Sequence, residues 1–263
     1  MTDRADEMIK ALRSGLDDLA GLVRGFTADD LARRSGASEW DVSQVLSHLG
    51  SGAEIFLATI DGALSGAGAP DGDFIKSIWA RWDGWSRAER AEHVVGANEA
   101  LVSRLEGLDR QTKDELRIPL WFPAPPRDVA GLTGMRLTEF AYHTWDVKVA
   151  FDQAATLEPW AVALLLDEAG VLLGFTGSAG ELDGQAAIAV RLTSPERSFG
   201  LGIDDAVSLT DVPGAPDGVL SAPAEWWLRL VAGRHAPEHT PAEVSLDSEK
   251  ITLDDLRRVF PGF

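Results

Sequence analysis

Leu137-Thr138-Glu139-Phe140-Ala141-Tyr142-His143-Thr144-Trp145-Asp146-Val147 sets Glu139 and His143 one helical turn apart. On an α-helix an i, i+4 pair leaves from one face, close enough for both side chains to hold one ion. Leu137, Phe140 and Tyr142 surround Glu139, where an unpaired carboxylate is costly and a nearby cation offsets the cost. His48, in Trp40-Asp41-Val42-Ser43-Gln44-Val45-Leu46-Ser47-His48-Leu49, offers a third donor from a second amphipathic segment. Two imidazoles and a carboxylate leave a zinc-like ion one position short of a closed shell, the pattern of a catalytic site. Two plainer alternatives stand beside it: a hydrogen-bonded core histidine at 48, and a surface contact for the Glu-x-x-x-His pair.

Working outward, the first two-thirds of the chain read as helices. Met8, Ile9, Leu12, Leu16, Leu19 and Leu22 recur at helical spacing over residues 5–22. Thr27 is a hydroxyl cap before Asp29 and Asp30, which starts a short helix. The His48 helix is expected over 41–64, followed by a Gly- and Pro-rich loop at 66–72 and a long helical region over 74–108. The prolines of Ile118 to Pro126 exclude a helix interior there. Helices at 127–151 and 158–175 follow.

Composition breaks between Gly174 and Gly184, and the apolar period changes beyond it. Ala186 to Thr193 reads as a strand, with shorter ones at 199–203, 206–209 and 244–246. Helices are expected at 222–231, with Pro223 in the first turn, and at 253–259. The expected organisation is α+β: a metal-binding helical bundle over 1–176, then a small α/β domain over 177–263.

The net charge of −18 argues against binding nucleic acid, which relies on clustered Lys and Arg. It also repels anionic substrates at long range, so an acid-binding pocket needs its own arginines. With no cysteine in the chain, disulfides, thiolate ligands and a cysteine nucleophile are excluded, and any thiol chemistry uses an external thiol. The charged start, Met1 to Glu7, has no apolar signal core. The most apolar stretch, 160–175, is interrupted by Asp167 and Glu168 and is short for a bilayer. A cytoplasmic protein without a membrane partner is the expectation.

Other motifs argue against familiar chemistries. His235 and His239 also stand four apart, but Pro237 between them removes the helical meaning of that spacing. His93 lies in a charged stretch and is expected to face solvent. His-Glu-x-x-His, Gly-x-Ser-x-Gly and the phosphate-loop pattern are all missing. Trp121 and Phe122, among prolines, form an apolar loop that is either packing or a pocket wall; Trp79, Trp82, Trp85 and Trp160 sit at helical positions expected in the core.

At these residues the chain resembles a known family. The Trp40–Leu49 stretch is similar to the Trp-x-Val-x-x-x-Leu-x-His-Leu segment of the DinB-like, mycothiol-dependent maleylpyruvate isomerases, and Glu139–Asp146 is similar to their Glu-x-x-x-His-x-x-Asp segment. Glu225-Trp226-Trp227-Leu228-Arg229-Leu230-Val231-Ala232-Gly233-Arg234 resembles the Gly-Arg helix of the small sterol-carrier-like domain behind the bundle. The resemblance implies a four-helix bundle with a divalent ion, usually zinc, on His48, Glu139 and His143, and mycothiol as the activated thiol. It further implies addition of thiolate to an activated double bond, rotation about the resulting single bond, and elimination to the trans isomer; S-transfer in detoxification or biosynthesis without isomerisation is the alternative. A non-catalytic small-ligand-binding protein is a third reading, which the retained ligands disfavour. Arg81, Arg87, Arg229 and Arg234 are candidates for gripping thiol or substrate carboxylates, and Asp146 for an acceptor behind a ligand imidazole, with a surface salt bridge as its alternative. The implied partners are a small electrophile and a thiol, and the chain is expected to be a monomer or weak homodimer.

Overall fold

The computed structural model describes residues 2–262. By contact the chain divides into two compact units, residues 1–152 and 153–263. In the first, α1 (Thr2–Val23), α3 (Val42–Ser65), α5 (Arg87–Glu106) and α7 (Val129–Lys148) pack pairwise as a bundle. Leu12, Leu16 and Leu19 of α1, Val45, Leu46 and Leu49 of α3, Leu101 and Leu105 of α5, and Leu137 and Phe140 of α7 are buried in its core.

The helix starts are set by local chemistry. Asp41 caps α3, and the Gln44 side chain answers it in a reciprocal capping box; Ser86 and Glu89 do the same for α5. Thr27 caps the short α2 (Ala28–Leu31). The region expected as one helix over 74–108 is two, α4 (Gly72–Gly84) and α5, because Trp85 leaves the helix and Ser86 caps the next one. A Cβ on Gly50 would lie 1.9 Å from the Trp82 ring, so α4 approaches α3 only because position 50 is bare. Trp82 is core as expected, whereas Trp79 is 47% exposed on the outer side of α4. The α6 helix (Arg110–Glu115), not foreseen, is one short turn capped by Asp109. The proline loop is closed at its base by paired backbone hydrogen bonds between Ile118 and Arg127.

In the second unit, α8 (Pro159–Thr176) precedes a five-stranded sheet of order β3-β2-β1-β4-β5. Its strands are β1 (Ala186–Thr193), β2 (Arg197–Ile203), β3 (Val207–Thr210), β4 (Gly218–Pro223) and β5 (Ser245–Asp247). Strand β1 pairs antiparallel with β2 and parallel with β4. Helix α9 (Ala224–Val231) is buried along its whole length and packs on β1, β4 and α8, and α10 (Leu253–Val259) closes the chain.

Two expectations are corrected here. Helix α8 belongs by contact with the second unit, through α9 and β3, so the division falls between Asp152 and Gln153 rather than near residue 177. The helix expected from Ala222 begins later, because residues 218–223 form the inner strand β4; Pro223 ends that strand and stands at the N-cap of α9. Among the described residues α8 alone is long and apolar enough to cross a membrane by length and composition, and Ala161, Val162, Leu165, Ala169 and Leu173 are its buried face.

Candidate metal centre

Helices α3 and α7 bring the three sequence candidates together. His48 Nε2 lies 3.0 Å from Glu139 Oε2, and His143 Nε2 lies 3.7 Å from the same oxygen. One donor atom from each residue falls within 4.8 Å of the others. Ligands at about 2.0–2.1 Å from a tetrahedral zinc stand roughly 3.3 Å apart, and the 3.0 and 3.7 Å spacings bracket that value. The centre opens to solvent on one side: the side chains of His48 and Glu139 are 36% and 46% exposed, that of His143 only 13%.

The shell behind the donors is ordered. His143 Nδ1 is 2.8 Å from Asp146 Oδ2, and the Asp146 side chain is fully buried. That contact fixes the ring and turns Nε2 toward Glu139; a surface salt bridge, the alternative reading of Asp146, is ruled out by burial. Gly36 donates its N–H to the Asp146 carbonyl at 2.8 Å, and a Cβ there would lie 2.8 Å from Asp146 Oδ1. The Trp40 ring lies 5.1 Å from the His48 ring and 5.8 Å from that of His143, walling one side of both imidazoles. Close packing pushes the Glu139 carboxyl upward in pKa, but the His48 hydrogen bond and the charges of His143, His48 and Arg136 outweigh it and hold the group at about 2. The carboxylate therefore stands ready as an anionic donor.

The four arginines weighed from sequence fall into different settings. In the first unit Arg81 pairs with Glu54 and lies over the Trp85 ring, and Arg87 Nε donates to Asp41 Oδ2 at 2.9 Å. In the second unit Arg229 is buried; Nε and Nη2 grip Glu225 at 2.8 and 2.9 Å, and Nη1 donates to the Arg234 and His239 carbonyls. Arg234 Nη1 donates to the Ala232 carbonyl. His235 and His239 do not converge on a common point: His235 Nε2 meets the Phe260 carbonyl at 2.7 Å, and His239 Nδ1 meets the Gln153 carbonyl at 3.1 Å. His93 is exposed, as expected, although its ring lies tilted 4.4 Å from that of Trp85. Trp121 packs edge-on against Phe56, which ties the proline loop to α3.

Sequence reasoning missed Arg136, a buried cation on the face of α7 that carries Glu139 and His143. The signal was present, since Arg136, Glu139 and His143 follow i, i+3, i+7 spacing.

The model of the mycothiol maleylpyruvate isomerase N-terminal domain family matches residues 12–148, just over half of the 263-residue chain. The chain belongs to that family. The matched span contains all three donors of the centre. Among solved structures it is similar to a mycothiol-dependent maleylpyruvate isomerase, with 12% identity, 98% of this chain and 97% of that chain covered, and a TM-score of 0.68. A histidine-to-alanine mutant of that isomerase matches at 13% identity with the same coverage and TM-score. At these identities the likeness establishes the α+β fold. No curated protein matches the chain.

Proposed function

We propose that the protein is a soluble enzyme that holds a zinc-like divalent ion on His48, Glu139 and His143 and uses mycothiol to attack a small electrophile, in cis–trans isomerisation of the maleylpyruvate type or S-transfer. The observation that carries this reading is the convergence of three donors on a solvent-open centre in a cysteine-free member of this family. A divalent ion there supplies Lewis acidity, lowering the pKa of an incoming thiol so that thiolate prevails near neutral pH.

The chain's own residues do the rest. Asp146 accepts from Nδ1 of His143 and leaves Nε2 as the donor. Glu139 supplies negative charge without needing to shed a proton near neutral pH. His48 would exchange its contact with Glu139 for the ion when its Nε2 serves as a ligand. Trp40 lies against both imidazoles, and thiol and electrophile would approach where the His48 and Glu139 side chains are exposed. For an electrophile bearing carboxylates, Arg81 and Arg87, both exposed, are the candidate cations that share the unit of the centre.

The test is turnover of an activated electrophile such as maleylpyruvate by the metal-loaded protein, with and without mycothiol. Turnover that depends on the thiol is expected. Equal rates with and without it overturn the reading and favour an activated water.

A further inference from the structure

Arg136 is 1% exposed and has no carboxylate in ion-pair contact among the described residues. Its Nη2 donates to two acceptors, the Leu49 carbonyl at 2.6 Å and Asn98 Oδ1 at 2.7 Å. Asn98, buried on α5, donates its amide to the same Leu49 carbonyl at 3.3 Å and to the Val94 carbonyl at 2.9 Å. Three helices thus meet at one carbonyl, and that carbonyl belongs to the residue directly after His48. The guanidinium is held between the Phe56 and Phe140 rings, 5.7 and 5.6 Å from their centres. Nε, fully enclosed, makes no hydrogen bond, and a Cβ on Gly52 would lie 2.8 Å from Nη1.

A buried cation with an unsatisfied donor is an expensive way to tie helices together. Apolar side chains of similar volume commonly do so at no loss of stability. Its place in the fold supplies a reason. Arg136 lies one turn before Glu139 on the same face of α7, and the Leu49 carbonyl lies one residue beyond His48 on α3.

We infer that Arg136, with Asn98, is a positioning residue that fixes the spacing between His48 on α3 and the Glu139–His143 pair on α7, and so sets the affinity and geometry of the metal centre. The inference rests on the proposed metal reading of that centre. A guanidinium suits the task because its planar fork reaches the Leu49 carbonyl and Asn98 in fixed directions, which an ammonium does not. Arg136 touches none of the three donors, so it acts through the helices that carry them.

The experiment compares wild type, Arg136→Met, Arg136→Lys and Asn98→Ala for Zn²⁺ dissociation constant by chelator competition and for the visible spectrum of the Co²⁺-loaded proteins. Partners behind metal ligands typically contribute 10–100-fold in affinity, and for Arg136→Met we expect about the lower end of that range with an altered Co²⁺ spectrum. Arg136→Lys should recover part of the affinity, and Asn98→Ala should show a smaller loss in the same direction. If Arg136→Met does not fold, Asn98→Ala alone decides. Wild-type affinity and spectrum in the folded variants overturn the positioning role while leaving the metal centre intact. A wild-type protein that takes up no metal overturns both.

Discussion

Each unit carries a cluster of histidine, acid and arginine, and the two are wired in opposite ways. In the bundle, His48, Glu139 and His143 turn their donors toward one another, and the side facing solvent is left for something else. In the second unit, Glu225, Arg229, His235 and His239 contact each other or backbone carbonyls, so the polar groups knit the chain to itself. Glu225 also accepts the Leu157 N–H at 3.2 Å, which ties the segment before α8 to α9. Residue type and spacing do not separate a site from a staple: both units contain a His or acid four residues from a His. What separates them is the backbone between, a continuous helix at 139–143 and a proline-broken 3-10 turn at 237–239.

The contrast breaks first on metal content. His48→Ala and His143→Ala should each lower bound zinc from about one ion per chain to near none, while His235→Ala and His239→Ala leave it unchanged, as elemental analysis will read. Retention of metal in both bundle variants removes the centre. Next in size is the staple. Glu225→Ala takes away the carboxylate that Nε and Nη2 of buried Arg229 grip, which should cost about 3–5 kcal/mol in denaturant unfolding of the second unit with zinc affinity unaltered. A loss below about 1 kcal/mol would mean that the pair is dispensable to the fold.

A smaller effect sharpens the role of Asp146. Asp146→Asn should keep the fold but weaken zinc binding by roughly 10–100-fold, measured by chelator competition, because the His143 ring loses its anionic acceptor. The smallest expected effect is on pH dependence. Burial pushes the His235 pKa below its usual 6.5, ahead of the opposing hydrogen bond to Phe260. The unfolded chain then binds the proton more readily, so this histidine's contribution is complete above about 6.5 and is lost as pH falls through its lower folded value. Glu139 acts with the same sign but later, between its ordinary 4.5 and about 2. Acid titration of the metal-free protein should therefore loosen the second unit first, and His235→Gln should flatten that early slope. An unchanged slope in this variant would place the early protonation elsewhere.

Much of the bundle was legible because its signals are local. Asp41 and Asp128 cap the two helices that carry the candidate donors, and Glu139 and His143 sit at helical spacing on the second. What escaped depends on contacts distant in sequence. Strand β4 is six residues ending in proline, and its parallel pairing with β1 across a long connection leaves no local mark. Helix α8 is apolar nearly all round, so its sequence did not say which unit it would join. The spacing of Glu139 and His143 was readable in the sequence, but the approach of Trp40 and the Arg136–Asn98 clamp arise from packing between segments distant in the chain. Arg229, grouped from sequence with the substrate-gripping arginines, is enclosed by Glu225 because the two stand one turn apart on a fully buried helix.

The most direct test loads the protein with Co²⁺ and titrates in mycothiol near neutral pH, following the near-ultraviolet thiolate-to-cobalt charge-transfer absorption. The account predicts a saturable band that is lost in His143→Ala and retained in Glu225→Ala. A cobalt-loaded protein that gives no such band on adding the thiol would contradict it.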